Sequence, residues 1–117
     1  MGTGDPARLY EQAVLRANVY RQAGADCLFL IGVSDARTIA NLVQAINGPI
    51  NILVGPTTPS IPELAQLGVA RVSFGSGSMR AALGRLRYIA HELLEQGTYA
   101  SMAEEMLSGA ELRSLFV

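Results

Sequence analysis

The first helix of this chain is predicted by apolar residues that recur at helical spacing after a capping signal. Asp5-Pro6 supplies a capping side chain and then a proline at the first helical position. The apolar positions that follow at this spacing are Leu9, Ala13, Val14, Ala17, Val19 and Tyr20. Gly24 comes soon after them, and glycine readily adopts the left-handed conformation that ends a helix. We therefore expect one helix between Asp5 and Gly24.

Three short apolar runs, at residues 26–31, 50–54 and 70–74, indicate strands. The first run has no polar alternation, as expected of a strand that is buried on both faces. Helical patterns separate the three runs, and this alternation predicts parallel pairing. Three strands are few for a parallel sheet, whose faces and edges must be covered. The pattern therefore indicates a missing partner.

Capping residues mark the remaining helices. A second helix is expected after Ser34 or Asp35, and a third after the capping box that begins at Ser60. A long helix should run from about residue 79 to residue 96, where Gly97 stops it. Two short C-terminal helices are predicted by two further capping boxes, Ser101 with Glu104 and Ser108 with Glu111.

The composition favours a folded chain without a nucleic-acid partner. Half of the 117 residues are apolar, which is enough for a core in one compact domain. Nine basic and ten acidic residues give a net charge of −1, so neither nucleic acid nor an anionic membrane surface is indicated. All nine basic residues are arginine, and the chain itself therefore cannot form a lysine Schiff base.

The single cysteine and the N-terminal residues bear on the location of the protein. Cys27 has no cysteine to pair with, which suits a reducing cytoplasm. Residues 1–6 lack the basic and then apolar run of a signal peptide. The longest apolar stretch, residues 27–31, is too short to span a bilayer. We expect a soluble, cytoplasmic protein.

Four segments of the chain are similar to those of a known family. They are RANVYRQAGAD at residues 16–26, PINIL at 49–53, ELAQLGVARVSFG at 63–75 and QGTY at 96–99. In this order they resemble stretches of the isocitrate lyase / phosphoenolpyruvate mutase superfamily that lie before its sixth strand, in its seventh strand, through its eighth strand and at the end of the following helix. The resemblance covers roughly residues 12–100.

The resemblance implies an α/β fold that is part of a (β/α)8 TIM barrel. About three parallel strands with flanking helices would be strands 6–8 of the parent barrel, followed by C-terminal helices. A complete barrel takes about 250 residues, so this chain could supply only about half of one. We expect residues 1–100 to form this part of the barrel and residues 101–117 to form a helical segment, which the resemblance implies is exchanged between subunits.

The resemblance also implies a class of reaction. Members of the superfamily make or break a C–C or P–C bond beside the carbonyl of a small α-keto acid, usually through a pyruvate enolate bound to Mg²⁺. A divalent ion suits this chemistry because it neutralises the charge that develops on the enolate oxygen. The metal-binding carboxylates of the family come from earlier strands. We therefore expect Mg²⁺ in the complete family enzyme, but no cofactor and no activity for this chain alone.

Two candidate ligand contacts stand out, and each has a structural alternative. The loop Gly75-Ser76-Gly77-Ser78 lies between a strand and a helix, where successive N–H groups can bind an anion. We favour the alternative that its glycines allow a tight turn and that Ser78 caps the helix. Asn51 is near the start of its strand, away from a barrel's active face, so a structural hydrogen bond is favoured over a substrate contact.

Other reactive residue types carry weaker signals. His91 is predicted in the middle of a helix, where a surface or interface role is favoured, and Cys27 is expected to be a small buried apolar residue. Asp35 is expected to be a helix cap. Hydroxyls or charges that could reach a ligand are provided by Thr57, Thr58, Ser73, Asp35 and Arg37. No set of catalytic or metal-spaced residues can be assembled from the sequence.

Three functional hypotheses remain open from the sequence. The first is part of a lyase or mutase that binds a keto acid and Mg²⁺ only when the barrel is completed. The second is a non-catalytic half-barrel that associates with itself. The third is an independent anion-binding module that uses residues 75–78. The expected partner is accordingly another copy of the chain or a complementing half-barrel, with no nucleic acid and no membrane.

Overall fold

A computed structural model of the chain describes residues 5–116. In chain order, its elements are α1 (Pro6–Gln22), β1 (Leu28–Leu30), α2 (Ala36–Ala45), β2 (Ile50–Leu53), α3 (Ile61–Gln66), β3 (Arg71–Ser73), α4 (Gly77–Gln96), α5 (Ala100–Ala103) and α6 (Gly109–Ser114). They group into two compact units, of which the first ends at Gly75 and the second begins at Ser76. Residues 1–4 and residue 117 lie outside the described residues. The expectations for the N-terminal residues, the start of the predicted segment 1–100 and the end of the predicted segment 101–117 therefore fall outside them.

Helix α1 begins and ends where its capping residues predict. The carboxylate of Asp5 accepts a hydrogen bond from the N–H of Ala7 at 3.3 Å. At the other end Gly24 has a φ of +103°, a conformation that costs glycine little. The N–H of Gly24 bonds to the carbonyl of Arg21, and the N–H of Ala25 bonds to that of Tyr20. These two bonds form a Schellman motif, which satisfies carbonyls that the last turn leaves free.

The three strands form one parallel sheet in the order β1-β2-β3, which confirms the predicted parallel pairing. In the register of β1 and β2, Leu28 lies opposite Ile50, and Phe29 lies opposite Asn51. Between β2 and β3, Leu53 lies opposite Ser73. Each strand is shorter than the apolar run that predicted it, because the end residues of the runs belong to loops.

The apolar core lies on one face of this sheet. Leu28, Ile50 and Ile52 alternate with residues of the opposite face, as the twofold period of a strand requires. They form one buried cluster with residues that lie in the three helices or directly follow one of them, namely Ala17, Ile39, Leu42, Ile46 and Leu64. The side chain of Asn18 joins α1 to the end of α2, since its amide group bonds to Ala45 and Asn47. Helices α1–α3 therefore cover this face.

The opposite face of the sheet is only partly covered. Phe29 is 49% exposed, so the expectation that the first strand is buried on both faces is wrong. Cys27 is also exposed rather than buried, because it lies just before β1 begins. The side chains of this face are Phe29, Asn51, Leu53, Arg71 and Ser73. Its functional interest comes from the polar members of this set.

The second unit consists of helices. Helix α4 ends at Gly97, whose φ of +66° is left-handed as predicted, and α6 begins with the predicted capping box of Ser108 and Glu111. The predicted box of Ser101 with Glu104 does not form, since Ser101 lies inside α5 and Tyr99 is its N-terminal cap residue. Within the described residues, no helix is long and apolar enough to cross a membrane.

Candidate functional site

Asn51 and Ser73 form a polar pair on the partly covered face of the sheet, which we call the Asn51–Ser73 pair. The Ser73 hydroxyl donates a hydrogen bond of 3.0 Å to Oδ1 of Asn51. Asn51 is 1% exposed, although it belongs to a residue type that is usually on the surface. The two residues are diagonal neighbours on one face of the sheet, because Asn51 lies opposite Arg71 and Ser73 is two residues beyond Arg71.

The other polar atom of Asn51 is unsatisfied. Among the described residues, Nδ2 of Asn51 has no hydrogen-bond partner, although it is buried. A buried polar group without a partner costs about 1–3 kcal/mol. The amide N–H groups are thus buried donors that lack an acceptor. The structure bears out a structural hydrogen bond for Asn51, and it adds a free donor that the sequence did not indicate.

The loop after β2 uses its hydroxyls internally. The N–H of Gly55 donates a hydrogen bond of 3.0 Å to Oγ1 of Thr58, and the N–H of Thr58 bonds to the carbonyl of Gly55. These bonds close a tight turn, so the Thr58 hydroxyl stabilises the loop. Thr57 is exposed at the tip of this turn. The candidate hydroxyls are those of Thr57, Thr58 and Ser73. Among the described residues, only the Ser73 hydroxyl bonds to another candidate residue, Asn51.

Residues 75–78 divide between the two units. Gly75, at the end of the first unit, has a φ of +53°, and a Cβ there would lie 3.3 Å from Cδ1 of Leu53. This explains why the turn takes glycine. Ser76 is the N-terminal cap residue of α4, without a capping bond from its side chain, and Gly77 and Ser78 are already helical. The expectation that Ser78 caps the helix is wrong, and anion binding by the N–H groups of this loop stays a prediction.

The remaining candidate residues have local roles. Asp35 caps α2, where its carboxylate accepts a hydrogen bond of 2.8 Å from the N–H of Thr38. The hydrogen bonds from the Thr38 backbone and hydroxyl lower the pKa of Asp35. His91 lies on the exposed surface of α4, with Nδ1 3.1 Å from the carboxylate of Glu95. Arg37 is exposed in the first turn of α2.

Glu92 organises a polar cluster that the sequence did not predict. Its carboxylate accepts hydrogen bonds from the Thr98 hydroxyl at 2.7 Å, from the N–H of Ala100 at 2.8 Å and from the N–H of Ser101 at 2.9 Å. The Ser101 side chain beside the carboxylate, the Thr98 hydroxyl and these two N–H groups lower the pKa of Glu92 to about 2. Ser101 is 4% exposed, and among residues 5–116 its hydroxyl has no partner of normal hydrogen-bond geometry.

Arg85 completes this cluster from the same helix. Its guanidinium group bonds to the carbonyl of Ser101, and it forms an ion pair of 2.7 Å with Glu104. Glu92 and Arg85 therefore hold the two ends of α5 against α4. No local motif announces this arrangement, since the partners are 6–19 residues apart. Within residues 5–116, no three His, Cys, Asp or Glu side chains come together as a metal ion would require.

Comparison with known proteins relates this fold to a class of enzymes. The family described as phosphoenolpyruvate phosphomutase matches residues 3–94 of the chain. The chain is 34% identical over 94 residues to the phosphoenolpyruvate phosphomutase of Streptomyces hygroscopicus, and the match covers 76% of this chain but 30% of that enzyme. It is 24% identical over 110 residues to the 2-methylisocitrate lyase of Aeropyrum pernix, of which the match covers 36%.

Solved structures lead to the same family. A protein of Burkholderia cenocepacia J2315, provisionally assigned as a lyase/mutase, superposes with a TM-score of 0.82 at 34% identity. That match covers 92% of this chain and 40% of the other protein. 2,3-Dimethylmalate lyase, a member of the PEP mutase/isocitrate lyase superfamily, superposes with a TM-score of 0.72 at 26% identity, and 39% of it is covered.

These matches establish the family and also the extent of the likeness. The chain belongs to the phosphoenolpyruvate phosphomutase family of the PEP mutase/isocitrate lyase superfamily, as its four sequence segments predicted. It spans about 30–40% of the length of the relatives described here.

Proposed function

We propose that this chain is the C-terminal part of a (β/α)8 barrel, contributing strands 6–8 to a lyase or mutase that acts on a small α-keto acid. The reaction would make or break a C–C or P–C bond beside the keto group. Membership of the family, the three parallel strands and the partial coverage of the relatives support this proposal. A location in the cytoplasm is part of the same proposal and is supported by the lone Cys27.

The unsatisfied amide of Asn51 is the observation that carries this proposal. The helices cover one face of the sheet, and Asn51 projects from the other face, where a closed barrel has its interior. The hydrogen bond from Ser73 fixes the orientation of the amide group and directs Oδ1 away from a ligand. Nδ2 then offers N–H donors, which fit a carboxylate or keto oxygen. Asn51 itself lies near the start of β2, but its partner Ser73 ends β3, at the carboxyl side where barrel sites lie. The pair would therefore bind and orient a keto acid without taking a proton from it.

The described residues do not fit the Mg²⁺ ion that the family chemistry implies. Mg²⁺ is bound through carboxylates and water, whereas the Asn51–Ser73 pair is neutral and residues 5–116 hold no cluster of metal-ligating side chains. We therefore assign metal binding to parts of the family fold outside this chain. The purified chain alone should show no Mg²⁺-dependent cleavage of oxaloacetate or phosphonopyruvate. Chelator-sensitive turnover in proportion to its concentration would contradict this assignment.

A chimera tests the function of the chain as part of a barrel. In it, this chain replaces the matching 94 residues of the Streptomyces hygroscopicus phosphomutase. We expect activity on phosphoenolpyruvate, and we expect Asn51→Ala to lower kcat/KM by about tenfold or more, since a hydrogen bond to a charged group contributes about 1.5–3 kcal/mol. Asn41→Ala, at an exposed asparagine on α2, is the matched control. A folded but inactive chimera, or equal losses in both variants, would contradict the proposal.

Self-association without catalysis is a second candidate function. Helix α4 buries none of its residues, and Met79, Leu83 and Leu86 are each more than half exposed. Apolar surface of this extent commonly marks an interface. Light scattering of the purified chain should then report an oligomer, whose size should change when residues 101–117 are deleted if that segment is exchanged between subunits. A stable monomer at every concentration would exclude this candidate.

A further inference from the structure

Leu53 lies beside the Asn51–Ser73 pair, at the carboxyl end of β2. It is the second residue after Asn51, so the two side chains lie on the same face of the sheet, roughly 6–7 Å apart along the strand. In the β2–β3 register, Leu53 lies opposite Ser73. A Cβ at Gly75 would lie 3.3 Å from Cδ1 of Leu53, so the leucine side chain reaches towards the end of β3. Since barrel sites lie at the carboxyl ends of the strands, a ligand at the pair would lie against Leu53.

The polar groups next to Leu53 have already used their hydrogen-bond donors. The Ser73 hydroxyl donates its proton to the amide oxygen of its partner in the pair. A serine hydroxyl has one proton, so Ser73 presents only lone pairs to a ligand. At the end of β2, the N–H of Val54 bonds to the carbonyl of Ser73 at 2.9 Å. The N–H of Gly55 bonds to Oγ1 of Thr58 at 3.0 Å. An anionic group beside Leu53 would therefore meet the lone pairs of Ser73 and none of these donors.

The segments that follow β1 and β2 bring no charge to this end of the sheet. They are Ile31-Gly32-Val33 and Val54-Gly55-Pro56. The β1–β2 register, continued by one residue, places Ile31 beside Leu53, and Ile31 is 68% exposed. The first charged residue after β1 is Asp35, whose carboxylate caps α2. The surface around Leu53 is therefore apolar, and apolar surface in a ligand pocket contacts the apolar part of the ligand.

We propose that the keto acid bound at the Asn51–Ser73 pair carries an uncharged alkyl substituent, which packs against Leu53. Leu53 favours an alkyl group over a carboxylate or phosphonate at this position, because burial stabilises the alkyl group whereas a buried anion without a partner is costly. This inference rests on the proposed function, to which it adds the chemical class of the substituent. The competing possibility is an anionic substituent bound by the N–H groups of residues 75–78, which the experiment separates.

Keto acids that differ in their substituent test this inference in the chimera with the Streptomyces hygroscopicus phosphomutase. Pyruvate, 2-oxobutanoate and 2-oxopentanoate lengthen the alkyl chain by one CH2 group at a time, and 2-oxoglutarate has the carbon chain of 2-oxopentanoate but ends in a carboxylate. Calorimetric titration in the presence of Mg²⁺ measures each Kd without requiring turnover. We expect the Kd to fall about fourfold for each added CH2 group, as burial of a methylene group predicts. 2-Oxopentanoate should also bind more tightly than 2-oxoglutarate.

Variants of the chimera assign the effect to Leu53. Leu53→Ser should remove the gain in affinity from added CH2 groups, whereas Leu15→Ser, at a leucine of α1 that is 59% exposed, should keep it. Circular dichroism checks that Leu53→Ser is folded, and Leu53→Ala replaces it if it is not.

Each result of these titrations supports or overturns the proposal. An affinity that does not rise with chain length, a rise that persists in Leu53→Ser, or tighter binding of 2-oxoglutarate would overturn it. A chimera that converts phosphoenolpyruvate but gives one of these results refutes this inference alone. A folded chimera that binds the alkyl series as expected without turnover refutes the proposed function alone, and one that binds no keto acid refutes both.

Discussion

The two units of the chain hold their helices in place by different means. In the first unit, eight apolar side chains are buried together between the sheet and helices α1–α3. In the described part of the second unit, Ser101 is the only buried residue, and polar bonds from Glu92 and Arg85 hold α5 against α4. Burial of apolar surface is the dominant stabilising contribution in folding, whereas exposed polar contacts contribute little. The first unit therefore resembles a domain core, and the second resembles a segment that requires a covering surface.

Substitutions in the core of the first unit should have the largest effect. Ile52 is fully buried in β2, and Ile52→Ala should lower the free energy of unfolding by about 2–5 kcal/mol, because a cavity adds to the lost transfer energy. Leu86 of α4 is 61% exposed, and Leu86→Ala should change the free energy of unfolding by no more than about 0.5 kcal/mol. Urea unfolding measures both values. Similar losses in both variants would mean that α4 is buried in solution.

Substitution of a glycine with a left-handed backbone should likewise lower stability more in the first unit than in the second. A Cβ at Gly68 would lie 2.9 Å from Cγ1 of Val43, and its φ is +90°, so Gly68→Ala should cost about 1–3 kcal/mol. At Gly97 the φ is +66°, and a Cβ would meet open space. Gly97→Ala should therefore cost only the backbone strain, about 1 kcal/mol. Thermal unfolding of the two variants tests this order, and the reverse order would contradict it.

Local signals in the sequence predicted most element boundaries. Asp5-Pro6, Gly24 and the Ser60 capping box act within a few residues, and each is found as expected. The predicted capping box of Ser101 with Glu104 does not form, because these residues bond to partners that are distant in the sequence. Glu92 bonds the N–H groups at the start of α5, and Arg85 takes the carboxylate of Glu104. A motif read over four residues carries no information on a partner eight or more residues away.

The sequence predicted the residues of the candidate site but not the bond between them, for a similar reason. The sequence named Asn51 and Ser73 separately, and it favoured a structural hydrogen bond for Asn51. That Ser73 is the donor depends on the β2–β3 register, which brings the two side chains to the same face of the sheet although they are 22 residues apart in the chain. The free amide of Asn51 depends in turn on that bond, since Ser73 occupies Oδ1 and leaves Nδ2 without a partner. A pattern of apolar runs specifies neither register nor orientation.

The pH dependence of α5 should follow Glu92. Since its pKa in the folded chain is about 2, against an ordinary value of 4.5, the charged form is favoured by folding. Its stabilising effect should be complete above about pH 4.5 and should be lost as the pH falls towards 2. The protection of the Ala100 and Ser101 amides from hydrogen exchange, measured against the intrinsic exchange rate at each pH, should fall over this range. Glu92→Gln should give faster exchange already at pH 7 and remove that dependence, and unchanged exchange would contradict the assigned role.

The smallest effect is expected for a substitution of Glu95, which lies about one helical turn after Glu92 on α4. Both carboxylates lie on α4. In the part of the chain that the structure describes, Glu95 bonds only to the exposed His91 ring, whereas Glu92 accepts hydrogen bonds from two backbone N–H groups of α5. Exposed ion pairs contribute little, because water and salt screen them. Glu95→Gln should therefore leave the melting temperature and the exchange of the Ala100 amide unchanged, and 0.5 M salt should not alter either. A clear loss in Glu95→Gln would show that surface charge on α4, rather than the hydrogen bonds to α5, holds the second unit together.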